Sequence, residues 1–133
     1  MKHSVEQTVR YVETDRMQVV HHSTYLVWFE IGRTSLLAAA GFPYRELERS
    51  GTLFPVVEYT CRMTGSLDYG DTVRIDTRVK SLRSRAVVFE YEVYRQDERV
   101  AVGTTSHVGA SRELRPKRIA APLLDALKPF LKK

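Results

Sequence analysis

The chain has 133 residues, 43% apolar and 28% charged, with 21 Lys and Arg against 16 Asp and Glu for a net charge of +5. This length and mix predict one folded domain over residues 1–133 with its own core, and exclude a disordered or low-complexity chain. No run approaches the ~18 apolar residues of a membrane span, and the N-terminal MKHSVEQ lacks a secretory hydrophobic region, so a cytoplasmic protein with no membrane partner is expected. Cys61, the single cysteine, excludes an internal disulfide and a cysteine metal cluster.

The first predicted strand covers residues 5–12. A helix over residues 23–40 follows, with Ser23 or Thr24 as its cap and Gly41 and Pro43 as its stop. Its apolar side chains, among them Leu26, Trp28, Phe29, Ile31 and Leu36, cover most of the circumference, which predicts burial all round. Residues 44–49 read as a short surface helix ended by Gly51. Four strands with period two come next, carried by Val57 to Met63, Val73 to Val79, Val87 to Val93 and Val100 to Val108. Each has one polar face, the pattern of half-buried antiparallel strands, with turn residues between them. A tail helix is predicted over residues 122–131. A strand, a long buried helix and a run of antiparallel strands predict an α+β fold, a curved antiparallel sheet wrapped around the long central helix.

The chemistry gathers between Tyr11 and Arg33, in YVETDRMQVVHHSTYLVWFEIGR. Asp15 sits in a short loop just upstream of the helix, whose free N–H groups and dipole stabilise negative charge. A base or nucleophile beside such a site is what acyl transfer requires. The competing reading of Asp15 is a turn or capping residue. His22 could polarise a carbonyl with its backbone N–H or orient Asp15 or a water with its imidazole. His21 reads as structural, and Tyr25 as packing with a supporting role at most. Glu58, in PVVEY, is a second acid to watch, against a simple solvated strand position. Glu30 and Arg33 stand three apart as an intrahelical ion pair.

The same residues carry a resemblance. Asp15 after Thr14, His22 seven positions on, and H-x-x-Y-L-x-W-F-E-x-x-R resemble the signature of the hotdog-fold acyl-CoA thioesterases, in the branch named for 4-hydroxybenzoyl-CoA thioesterase. The likeness runs on through YRELERSG and LFPVVEYTCRM and fades after His107. It departs at Gln18, where the family has a glycine three residues after the acid. The resemblance implies hydrolysis of an acyl or aroyl thioester to the free acid and coenzyme A. Asp15 would be nucleophile or general base, His22 would assist, and Tyr25 and Glu58 are supporting candidates. No metal or prosthetic group is implied. It also implies a homo-oligomer, dimer or tetramer, with active sites between subunits. Arg83 and Arg85 are candidates for the coenzyme A phosphates.

Other functions fit less well. The basic stretches 78–85 and 112–118 would suit nucleic acid, but the strand aromatics Phe89 and Tyr91 read as core, so no nucleic-acid partner is expected. No G-x-S-x-G elbow, H-E-x-x-H zinc motif or glycine-rich phosphate loop is present. A hotdog dehydratase would need a differently placed histidine and acid. A non-catalytic acyl-CoA binding or sensing domain on the same scaffold is the main alternative.

Overall fold

The computed structural model describes residues 1–15, 17 and 19–132. Five antiparallel strands, β1 (His3–Thr8), β2 (Val56–Met63), β3 (Thr72–Leu82), β4 (Ala86–Arg95) and β5 (Glu98–Val108), form one sheet in the order β1-β3-β4-β5-β2. β1 and β2 are the two edges. Between them the chain runs through α1 (His22–Ala39) and α2 (Tyr44–Ser50), and α1 packs on β1, β3 and β4. α3 (Ala121–Leu127) closes the chain against β3. Among the described residues, no helix is long and apolar enough to cross a membrane.

Period-two alternation places Val73, Ile75, Val79, Val87, Phe89, Tyr91, Val93 and Ala101 in the core under the helices. The opposite face carries two cross-strand ion pairs, Arg78 to Glu92 at 2.9 Å and Arg99 to Glu92 at 3.1 Å, and a pair from the C-terminal segment, Lys132 to Glu90 at 2.9 Å. Asp76 is buried on that face. Burial works against its charge, but the Ser4 hydroxyl, Arg74 and Lys2 donate to it and hold its carboxyl below the usual range.

α1 buries one stripe, Thr24, Tyr25, Trp28, Phe29, Gly32 and Leu36, while Val27 and Glu30 stay exposed, so the expected burial all round is not found. The spacing of that stripe is the ordinary amphipathic one. Gly32 lets the backbone of α1 settle on the sheet: a Cβ there would overlap the Thr77 hydroxyl and touch Ile75. Phe29 stacks on Tyr91 at 4.4 Å between centroids, over the space that Gly103 leaves open. The helix ends as the sequence predicts. Gly41 takes φ +94, its N–H reaches the Ala38 carbonyl, and the Phe42 N–H reaches the Leu37 carbonyl.

Four further expectations need correction. β1 stops at Thr8, because Tyr11–Glu13 forms a 3-10 turn in which the Glu13 carboxylate takes the Arg10 N–H at 2.7 Å. α1 is capped by His21, not by Ser23 or Thr24: the imidazole Nδ1 accepts the Ser23 N–H at 3.2 Å. The tail helix ends at Leu127 and continues as a single 3-10 turn, because Pro129 has no N–H for a longer helix and clashes with the preceding turn. β2 is not half-buried. As an edge strand it exposes Val56, Val57, Tyr59 and Met63.

A polar line crosses the inner face. His107 is buried, with Nδ1 2.9 Å from the Phe54 carbonyl and Nε2 2.8 Å from the Thr105 hydroxyl, which lies 2.6 Å from the Tyr91 hydroxyl. A carbonyl only accepts, so Nδ1 carries the proton and Nε2 accepts from Thr105. Thr105 then accepts from Tyr91. Burial pushes the His107 pKa down to about 4, opposed by the Phe54 carbonyl and assisted by the nearby Arg33 charge.

Two measurements follow from this packing. Gly32→Ala should lower stability by about 1 kcal/mol or more in denaturant unfolding, although alanine favours a helix by about 1 kcal/mol, because the overlap with Thr77 outweighs it. His107 has a folded pKa of about 4 against the ordinary 6.5 of a free imidazole. Its contribution is therefore complete above pH ~6.5 and is lost as pH falls toward ~4, a decline of about 3 kcal/mol. Unfolding midpoints across that window should show the decline, and His107→Gln should flatten it.

Candidate active site

Asp15 lies in a loop whose two ends are tied together. Thr14 and Val20 form an antiparallel bridge, and the Asp15 N–H donates to the Val19 carbonyl at 2.9 Å. The Val20 N–H reaches the Leu67 carbonyl and the His21 N–H reaches the Glu13 carbonyl, which fastens the loop to the sheet side and to the start of α1. The carboxylate is half-buried. Its Oδ1 accepts the Met17 N–H at 2.8 Å, an Asx turn, and Oδ2 has no partner among the described residues. Gln18, which stands where the family has glycine, lies outside the described residues.

The loop closes directly onto the N-terminus of α1. His21 occupies the cap position; its imidazole takes the Ser23 N–H and its carbonyl takes the Thr24 N–H. His22 is the first helical residue, exposed, with its ring against that of His21 at 4.1 Å. Among the described residues no acceptor takes its N–H. The start of α1 therefore offers a backbone donor and the positive end of the helix dipole near the acid. The histidine pair that the sequence singled out divides into a cap, His21, and an exposed ring, His22.

The other candidates stand apart. Tyr25 is in the core, edge-on to Trp28 at 5.3 Å, its hydroxyl pushed up to about 12 by burial first and by neighbouring Cys61 second. Glu58 is exposed on edge strand β2, just past a register shift, and shares the outer face with Thr60, whose hydroxyl meets that of Thr104. Arg83 and Arg85 are exposed in the β3–β4 turn, at the end of the sheet opposite the one where Leu67 holds the Asp15 loop. Glu30 and Arg33 do not form the expected pair. Glu30 stays exposed, and Arg33 turns inward with its Nη1 buried and unpartnered among the described residues.

Arg33 opens onto a feature that the sequence reading missed. A cavity of ≈ 200 Å³ lies between the second half of α1, α2, α3 and the sheet, walled by Leu37, Leu47, Phe54, Phe89, Leu123 and Leu127, with His107 and Arg33 on its lining. Arg33 is four residues after Phe29 and three before Leu36, both buried. A cation on the inward stripe of an amphipathic helix was the available signal. Arg33 is three turns from His22, about 16 Å along the axis, so acid and cavity lie at opposite ends of α1.

A sequence profile described as the thioesterase-like superfamily matches residues 9–130. A Bacillus subtilis (strain 168) protein provisionally named acyl-CoA thioesterase YneP is 37% identical over 81% of this chain and 79% of its own. A hypothetical protein, TT1821, from Thermus thermophilus superposes with a TM-score of 0.93 at 38% identity, covering 100% of both chains. A gentisyl-coenzyme A thioesterase, BH1999, superposes with a TM-score of 0.86 at 26% identity, over 91% of this chain and 98% of that one. With a family profile across nearly its whole length and a relative above one-third identity, this chain belongs to the thioesterase-like superfamily, the hotdog thioesterases.

Proposed function

We propose that this chain is an acyl-CoA thioesterase, a single hotdog domain with its sheet curled about α1. The observation that carries this reading is the tied loop that holds Asp15 just ahead of the N-terminus of α1. The thioester carbonyl would lie against that helix end, with the His22 N–H as donor to the developing oxyanion. Asp15 acts in one of two ways. Its carboxylate attacks the carbonyl carbon and expels the coenzyme A thiolate, leaving a mixed anhydride for water to open. Alternatively, it takes a proton from the water that attacks. Either route consumes one water and yields a carboxylic acid and coenzyme A, with no metal or prosthetic group. The names of YneP and of the gentisyl-coenzyme A thioesterase support this chemistry.

The working form is a homo-oligomer, built first as a dimer. β2 is an edge strand with an apolar exposed row, and unpaired edges of that kind invite a further strand. Two copies joined antiparallel through β2 would bring the start of one β2, beside Phe54 and the cavity, to the end of the other. That second end leads to Leu67 and the Asp15 loop. Each site would then combine Asp15 of the partner subunit with this chain's cavity, and Arg83 and Arg85, at the cavity end of the sheet, would face the coenzyme A phosphates.

Asp15→Asn should reduce turnover of an acyl-CoA substrate by at least ~10²-fold with circular dichroism unchanged, because the amide keeps the shape but supplies neither base nor nucleophile. Glu58→Gln should cost far less; the reverse order would assign the chemistry to the wrong acid. Light scattering at micromolar concentration should report a mass at least twice the 15.3 kDa of one chain.

A further inference from the structure

We infer that the cavity beside Arg33 is an acyl subsite for a short acyl chain that ends in a carboxylate, with the Arg33 guanidinium as its counter-ion. This deepens the reading of the protein as an acyl-CoA thioesterase and rests on it.

Three observations point to such a tail. The walls are apolar, from Leu37, Leu47, Phe54, Phe89, Leu123 and Leu127, and suit methylene groups. The volume of ≈ 200 Å³ exceeds the roughly 150 Å³ that accepts a benzene ring, so a chain of about five carbons fits. Arg33 places a permanent cation on this apolar lining, and its Nη1 is buried with no hydrogen-bond partner among the described residues. A buried guanidinium N–H without an acceptor is unfavourable, and an anionic oxygen relieves it.

The surrounding groups do not fill that role. The Tyr91 hydroxyl accepts a hydrogen bond from the Arg33 guanidinium, but it is neutral and supplies no counter-charge: burial pushes its pKa up, and the charge and hydrogen bond of Arg33 only moderate the rise. Its proton is directed to Thr105, in the line that ends at His107 and the Phe54 carbonyl, and His107 is kept neutral by burial. Glu30 and Glu48 also line the cavity, but both are exposed, where solvent weakens their effect. The charged group turned inward is therefore Arg33 alone among these residues, and a guanidinium pairs with a carboxylate through parallel N–H···O bonds. The reaction is the ordinary one: the thioester and water give a dicarboxylic acid and coenzyme A.

The test compares two five-carbon substrates of equal length, glutaryl-CoA with a terminal carboxylate and pentanoyl-CoA with a terminal methyl, by thiol release. Wild-type protein should favour glutaryl-CoA by at least ~10-fold in kcat/KM, and Arg33→Gln should erase or invert that ratio. A preference for pentanoyl-CoA, or a ratio unchanged in Arg33→Gln, overturns the assignment. Thermal unfolding of the wild-type protein with free glutarate or free pentanoate keeps the test independent of how the variant folds. Stabilisation by glutarate beyond pentanoate supports the subsite, and equal or no stabilisation rejects it. If neither thioester is hydrolysed but glutarate still stabilises selectively, the hydrolase reading fails and the anion-tail pocket stands. If there is neither hydrolysis nor selective stabilisation, both fall.

Discussion

The contact between α1 and the inner face of the sheet positions both the Asp15 loop and the cavity. With no side chain at Gly32, the helix backbone lies directly over Ile75 and Thr77, and Phe29 drops onto Tyr91 in the space left by Gly103. Dispersion and burial at this seam come from a few large groups, Trp28, Phe29, Tyr91 and Leu36, all essentially removed from solvent. Once the helix is seated there, its two ends are placed as well. Its first residue is held where the Asp15 loop returns to the sheet, and Arg33 is held against the wall of the cavity.

The two ends are electrostatically unlike. At the start, backbone donors are partly consumed by the His21 cap, and the dipole's positive end faces a carboxylate whose own loop is tied by backbone bonds. In its second half, the helix carries a guanidinium inward, into surroundings of neutral hydroxyls and a neutral imidazole. α1 thus separates the Asp15 loop from the apolar-walled cavity that Arg33 lines by about 16 Å along its axis. Assembly through β2 would fold that distance back by drawing on two copies.

Much of the fold could be read before any coordinates. The alternation Val87, Phe89, Tyr91, Val93 specified the inner face of β4, and Gly41 followed by Pro43 specified where α1 ends. Asp15 stood out through its spacing to His22 in the family signature, since its position ahead of a helix equally suits a turn residue. Other features depend on partners far away in sequence. β2 alternates as well as β3 does, yet period two reports two-faced chemistry and not position in the sheet, so its edge exposure was invisible. His21 as the cap was hidden because imidazoles cap less often than hydroxyls. The cavity needs α2, α3 and the β5 end together, and no single segment announces it. Arg33 misled for a simple reason: Glu30 three residues away offers a local partner, while the space on the other side of the helix offers burial, and only packing decides between them.

The Asx turn at Asp15 has a consequence for how the loop tolerates change. The carboxylate is aimed by the main-chain N–H of Met17, and the Met17 side chain itself stands in solvent. Orientation by backbone is indifferent to the identity of the residue that supplies it. Position 17 can drift through nearly the whole amino-acid alphabet without turning the acid, and the one replacement that would release it is proline, which has no hydrogen to give.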